Sequence, residues 1–338
     1  MSTYRIARPT LFLVTALVLM AIPTLLIVGV GWKSAAIMAA LCAISAVFNA
    51  LSMGWRALWW ATPFTTVSVF LAVVVSANPW AAAVAMLAIG AGMGLANKRG
   101  LTAGNLMLPM VVAATIGTPP TITHNVPLDA LISAVIAGGS MLIAGGILMI
   151  LLRKKDFSTT NYPHYSTKVT GVYTFNLAVL LAGVGYFSAA QQAQVQGMWL
   201  ALTVVLVVQP YIYASVRRGF ERAGGTVLGF LISMGVASAV TDQALFALIG
   251  LLFIELAILT MMNAKDSYWL YVMFLTPGVV LTTGPPAQVS QFADWRLLVT
   301  LIAVAACLVL LGLERLLFFK GSLNKAPEVH SLASTPEK

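Results

Sequence analysis

The chain has 338 residues, 60% of them hydrophobic and only 9% charged, with a formal net charge of +9. A soluble globular domain carries about 25% charged residues, so there is too little polar material here to clothe a water-facing surface. The basic residues sit singly or in small clusters at the ends of apolar blocks, where membrane anchors belong, and this distribution argues against nucleic-acid binding.

The apolar blocks have the length needed to cross about 30 Å of hydrocarbon at 1.5 Å per residue. Barrel strands would show short alternating segments instead. The predicted helical spans run over 10–30, 34–50, 57–76, 80–97, 101–117, 128–152, 171–190, 195–213, 222–240, 243–263, 267–283 and 294–319. The expected fold class is therefore all-α, a polytopic membrane protein of about twelve transmembrane helices. Arg5 and Arg8 precede the first block, which is too long for a signal-peptide core and reads as a retained span.

Lys and Arg placement sets the orientation. With the spans alternating, one face collects Arg56, Lys98, Arg99, Arg153, Lys168, Arg217, Arg218, Arg222, Lys265 and Arg315 with both basic termini, and the other only Lys33 and Arg296. The positive-inside rule makes the first face cytoplasmic. Both termini are then cytoplasmic, and the expected location is a bacterial inner membrane.

The halves resemble each other at a nearly constant offset. Trp32 matches Trp199, Arg56 matches the Arg217–Arg222 segment, and Lys98 matches Lys265. "LPMVVAATIGTPPT" matches "LTPGVVLTTGPPAQ", and Asp129 matches Asp294. Residues 1–152 read as a first six-helix repeat, 153–170 as a cytoplasmic linker, 171–320 as a second repeat and 321–338 as a cytoplasmic tail. Six spans per half make the repeat parallel, and a solute path is expected on the axis between halves.

The second half carries more specific residues. "MWLALTVVLVVQPYIYASVRRGFERAGGTVLGF" has Trp199 at a span start, a Leu-Thr-Val-rich helix ending in Gln209-Pro210, and then a basic segment entering Arg222-x-x-Gly225-Thr226-x-x-Gly229. This resembles the signature of the fusaric acid resistance, or aromatic acid exporter, family. "WRLLVTLIA" resembles the start of that family's last helix, with Arg296 and Thr300 matching and Val299 standing where the family has Asp. The resemblance implies a twice-repeated six-helix membrane unit that exports aromatic carboxylates and similar small organic anions, often with a periplasmic adaptor subunit. The family's large cytoplasmic domain has no counterpart in the short linker. Plant relatives are passive anion channels.

Several residues are candidates for the transport chemistry. Arg218, Glu221 and Arg222 have helical spacings of three and four. With Arg217 they form either a cytoplasmic funnel for carboxylates or a positive-inside anchor with an internal ion pair. Thr226 lies in the Gly225–Gly229 stripe, which suits close helix packing. Pro109 and Pro277 interrupt spans 5 and 11 at matching positions, with Thr282 and Thr283 near the outer end of the second. Paired broken helices point to a substrate site; simple helix termination is the plainer reading. Trp32 and Trp199 are either interfacial belt residues or platforms for an aromatic substrate.

Glu255 is the one carboxylate clearly inside a span, which makes it a candidate proton carrier or a paired structural acid. Asp294 is a second proton-coupling candidate. Asp129 and Arg296 are placed at the outer starts of spans 6 and 12, as exit or gating residues or as simple caps. No phosphate-binding loop or metal-ligand cluster occurs in the sequence, so no enzyme activity, cofactor or metal is expected. The expected partners are a small organic anion, the lipid bilayer and an adaptor, and a homo-oligomer is compatible with the pattern. The alternatives are a passive anion channel and a non-transporting subunit of a larger membrane complex.

Overall fold

The computed structural model describes residues 9–97, 106–151, 166–262, 268–283 and 289–317. Arg5, Arg8, Lys98, Arg99, most of the predicted linker, Lys265, Pro285 and the predicted tail lie outside the described residues, as does the side chain of Thr283.

The described residues form twelve α-helices and no strand: α1 Pro9–Gly29, α2 Ala36–Met53, α3 Trp55–Val75, α4 Pro79–Asn97, α5 Leu108–Gly117, α6 Val126–Leu151, α7 Thr167–Ala190, α8 Gln194–Val207, α9 Ile212–Ala239, α10 Gln243–Met262, α11 Tyr268–Thr283 and α12 Val289–Leu317. Each predicted span has its helix, and the chain is an all-α polytopic membrane protein. Among the described residues, seven segments are long and apolar enough to cross a bilayer. Polar residues between the apolar runs start the helices. The Asn78 side chain accepts from the Trp80 and Ala81 amides, Ser166 from Val169 and Asp242 from Leu245, each satisfying amides that have no partner within the first turn.

The chain divides into two compact units, 1–205 and 206–338. In the first, α4 packs closely along α7. A Cβ on Gly90 would lie 2.7 Å from the Ala178 Cα, and one on Gly185 would meet the Ala82 carbonyl oxygen. Residues early in α4 face residues late in α7, so the two helices are antiparallel. The helices α3 and α6 are antiparallel as well, with Gly145 against Leu58 and Gly138 against Thr66. The core of this unit, from Cys42 and Ala46 on α2 to Met141 and Leu148 on α6, also receives Trp32.

The second unit contains α9–α12. Gly250 on α10 lies against Leu281 and Thr282, and Gly278 on α11 against Ile254, which makes an antiparallel hairpin. Gly225 and Gly229 of α9 face Trp269 and Met273 of α11, so these two run parallel. Such directions are what strict alternation of crossings requires.

Three boundaries differ from the sequence expectation by more than five residues. The helix α5 starts at Leu108 with Pro109 in its first turn, where the absent N–H costs nothing. Pro109 therefore opens this helix and does not interrupt it. The helix α8 stops at Val207 because Pro210 cannot donate and disfavours helical geometry in the residue before it. The Ser215 hydroxyl holds the turn, accepting from the Gln209 amide at 2.8 Å. In consequence α9 begins at Ile212, ten residues ahead of the expected start, and Arg217, Arg218 and Arg222 lie inside it.

Because the Gly90 contact is to backbone, no side-chain rotation relieves it. Gly90→Val is expected to destabilise the detergent-solubilised protein by about 1–3 kcal/mol, the usual cost of overpacking. Gly139→Val on α6, where a Cβ meets nothing within 4 Å, should leave the thermal unfolding midpoint unchanged.

Candidate functional site

One face of α9 carries Ser215, Gly219, Arg222, Gly225, Thr226, Gly229 and Ser233, all buried. The spacing follows the helical repeat, so Arg222 shares the stripe that packs inward. It is 1% exposed. At 1.5 Å per residue it stands about 15 Å along the helix from Ile212. On α12, Arg296 is also buried, at 4% exposure, and lies about 10 Å in from Val289 by the same rise. The two guanidinium groups are electrostatic neighbours, and Tyr271 of α11 lies within the field of both.

Around this pair the structure adds two tyrosines from the first turn of α11. Arg222 Nη1 donates to the Tyr268 hydroxyl at 3.5 Å. The Tyr268 and Tyr271 ring centroids are 5.9 Å apart. Arg222 Nε is buried and makes no hydrogen bond to a described residue. Guanidinium groups stay charged in proteins, and a cation held in hydrocarbon costs a few kcal/mol or more. Two of them within electrostatic range of each other, one of them donating to the Tyr268 hydroxyl, make this the most positively charged part of the described interior of the unit.

The basic cluster of α9 is divided by the helix. Arg217 Nε donates to Glu221 Oε1 at 2.8 Å, so Glu221 pairs with exposed Arg217 and leaves Arg222 to the interior. Arg218 takes a third direction, with its guanidinium carbon 4.4 Å from the Tyr268 ring centroid. The shared face expected for Arg218, Glu221 and Arg222 is thus resolved into a surface ion pair, a cation–π contact and a buried cation. Arg222 and Arg296, assigned from the sequence to opposite faces of the membrane, come within electrostatic range of each other because both helices begin well before their arginines.

Other candidates have structural employment. Pro277 lies within α11, which runs through it from Tyr268 to Thr283. It removes the hydrogen bond to the Met273 carbonyl without breaking the helix, and that carbonyl packs against Gly229. The Thr282 hydroxyl donates to the Gly278 carbonyl at 2.8 Å. Asp129 Oδ1 accepts from the Thr123 amide, the Thr123 hydroxyl and the Ile122 amide, at 2.7, 2.8 and 3.2 Å. It ties down the turn ahead of α6, while Asn125 serves the helix start. Asp294 is exposed although Arg296 is buried, because residues two apart on a helix face different ways. Glu255 is half-buried on α10. Trp199 is buried in α8 and Trp32 packs on the core of the first unit. The tryptophans Trp59, Trp60, Trp80 and Trp295 are exposed, as an interfacial belt requires.

Residues 177–310 match the family model described as fusaric acid resistance protein-like. No curated protein and no solved structure matches the chain. The matched region contains all four residues of the arginine–tyrosine cluster.

Removing Asp129 as Asp129→Ala would leave two loop amides without their acceptor, at an expected cost of about 1–3 kcal/mol. Arg217→Gln breaks only an exposed pair and should leave thermal stability unchanged within error. Thermal unfolding of both variants in detergent checks the contrast.

Proposed function

We propose that this chain, whose residues 177–310 match the fusaric acid resistance protein-like family model, is a member of that family and an inner-membrane secondary transporter exporting small organic anions, aromatic carboxylates foremost. The observation that carries the reading is the burial of Arg222 within electrostatic range of Arg296, with the Tyr268 hydroxyl accepting from Arg222. A carboxylate offers two oxygens to a guanidinium in a planar, charge-assisted arrangement. The rings nearby supply faces on which an aromatic guest can pack. Arg217 and Arg218, nearer the start of α9, raise the local anion concentration at the mouth of the site.

The lysine and arginine asymmetry of the sequence supports cytoplasmic termini and hence a cytoplasmic mouth. Glu255 is the proposed proton carrier. It is half-buried in an apolar helix, where a carboxylate is costly to keep charged. A periplasmic adaptor, as the family resemblance implies, would complete the export route.

Purified protein in liposomes, loaded with benzoate under an imposed pH gradient, tests this reading. Wild type should drive benzoate movement with the gradient. Arg222→Gln should lower the rate at least about tenfold, the loss expected when a charge-assisted contact worth about 1.5–3 kcal/mol is removed. Glu255→Gln should keep benzoate exchange but lose its response to the gradient. Gradient-driven movement in Glu255→Gln would remove the coupling role, large reversing currents without proton dependence would favour a passive channel, and no movement of any anion would favour a non-transporting subunit.

A further inference from the structure

Tyr268 touches two cations in two different ways. Its ring lies against the Arg218 guanidinium, 4.4 Å from centroid to carbon. Its hydroxyl oxygen accepts from Arg222 Nη1 at 3.5 Å. Arg218 is half-buried and follows exposed Arg217, whereas Arg222 is fully buried. The tyrosine therefore bridges an outer and an inner cation, presenting a π face to the first and an oxygen to the second.

An aromatic carboxylate has the same two features, a ring and an oxygen-bearing end, but with a full negative charge and two acceptor atoms. The contact it would replace is a poor one, since charge-assisted hydrogen bonds normally close to about 2.7–2.9 Å. Arg222 Nε, buried and without a hydrogen bond to a described residue, offers a second donor on the same guanidinium that the phenol does not use. The cation–π contact with Arg218 is likewise one that a substrate ring can take over.

We infer that Tyr268 is a built-in stand-in for the substrate, occupying the anion site when it is empty and yielding ring and oxygen contacts to the incoming aromatic anion. This rests on the reading that the arginine cluster binds organic anions. The consequence is that Tyr268 weakens equilibrium binding, because only the fraction of molecules with the tyrosine displaced can accept a ligand. A residue that merely shaped the pocket or packed against the guest would have the opposite sign.

The experiment is calorimetric titration of benzoate into the purified full chain, comparing wild type, Tyr268→Leu, Tyr268→Phe and Arg222→Gln. Tyr268→Leu removes both competing contacts and should bind benzoate about tenfold more tightly than wild type. Tyr268→Phe keeps the ring on Arg218 but loses the oxygen, and should gain about threefold. Arg222→Gln should lose binding. Tyr268→Phe preserves the side-chain volume, so it decides the matter if the leucine variant does not fold. Unchanged or weaker binding in the tyrosine variants, with wild type binding and Arg222→Gln not, overturns the stand-in role while leaving the anion site intact. Absence of binding in wild type and all variants overturns both.

Discussion

A guanidinium cannot shed its charge cheaply, and a bilayer interior offers it no water. The second unit is organised around that constraint. Arg222 lies on the inward stripe of α9, and α11 and α12 bring Tyr268, Tyr271 and Arg296 to it. The chain places two cations where hydrocarbon would otherwise be, and such an expense is unusual for a purely structural interface. Substituting a well-packed apolar residue for a buried ion commonly stabilises a protein. Retaining Arg222, whose Nε makes no hydrogen bond to a described residue, is explained if its partner comes and goes.

The glycines make the arrangement possible. Gly225 and Gly229 let the α9 backbone approach Trp269 and Met273 of α11 so closely that a Cβ would collide. Close approach shortens the distance that Arg222 must reach to meet the phenols at the start of α11. Pro277 contributes by exposing the Met273 carbonyl on the side that Gly229 covers. What the sequence offered as a small-residue stripe and a broken helix is a single device that sets how closely α9 and α11 approach.

Helix number and class were legible because hydrophobic length is a one-dimensional property, and every predicted span has its helix. Boundaries failed where polar residues continue a helix. Arg217 and Glu221 extend α9 outward through their mutual pair, so a hydropathy window starts the span too late and places Arg222 at a surface it does not occupy. Pro109 and Pro277 look equivalent in sequence, yet one opens α5 and the other sits inside α11. Their difference depends on where each helix starts, which hydropathy does not specify. Tyr268 and Tyr271 were missed because a pair of tyrosines at a span start resembles an interfacial belt. Only the three-dimensional approach of α9 and α12 distinguishes them, and spacing along one helix carries no information about another.

Anomalous diffraction from crystals grown with 4-iodobenzoate tests most directly whether the arginine–tyrosine cluster is the anion site. The iodine marks the ring and the adjoining density marks the carboxylate. The account predicts an iodine peak within the cluster of α9, α11 and α12, the carboxylate against the Arg222 guanidinium and the Tyr268 ring displaced from Arg218. Iodobenzoate bound elsewhere, with Tyr268 still seated between Arg218 and Arg222, would contradict it.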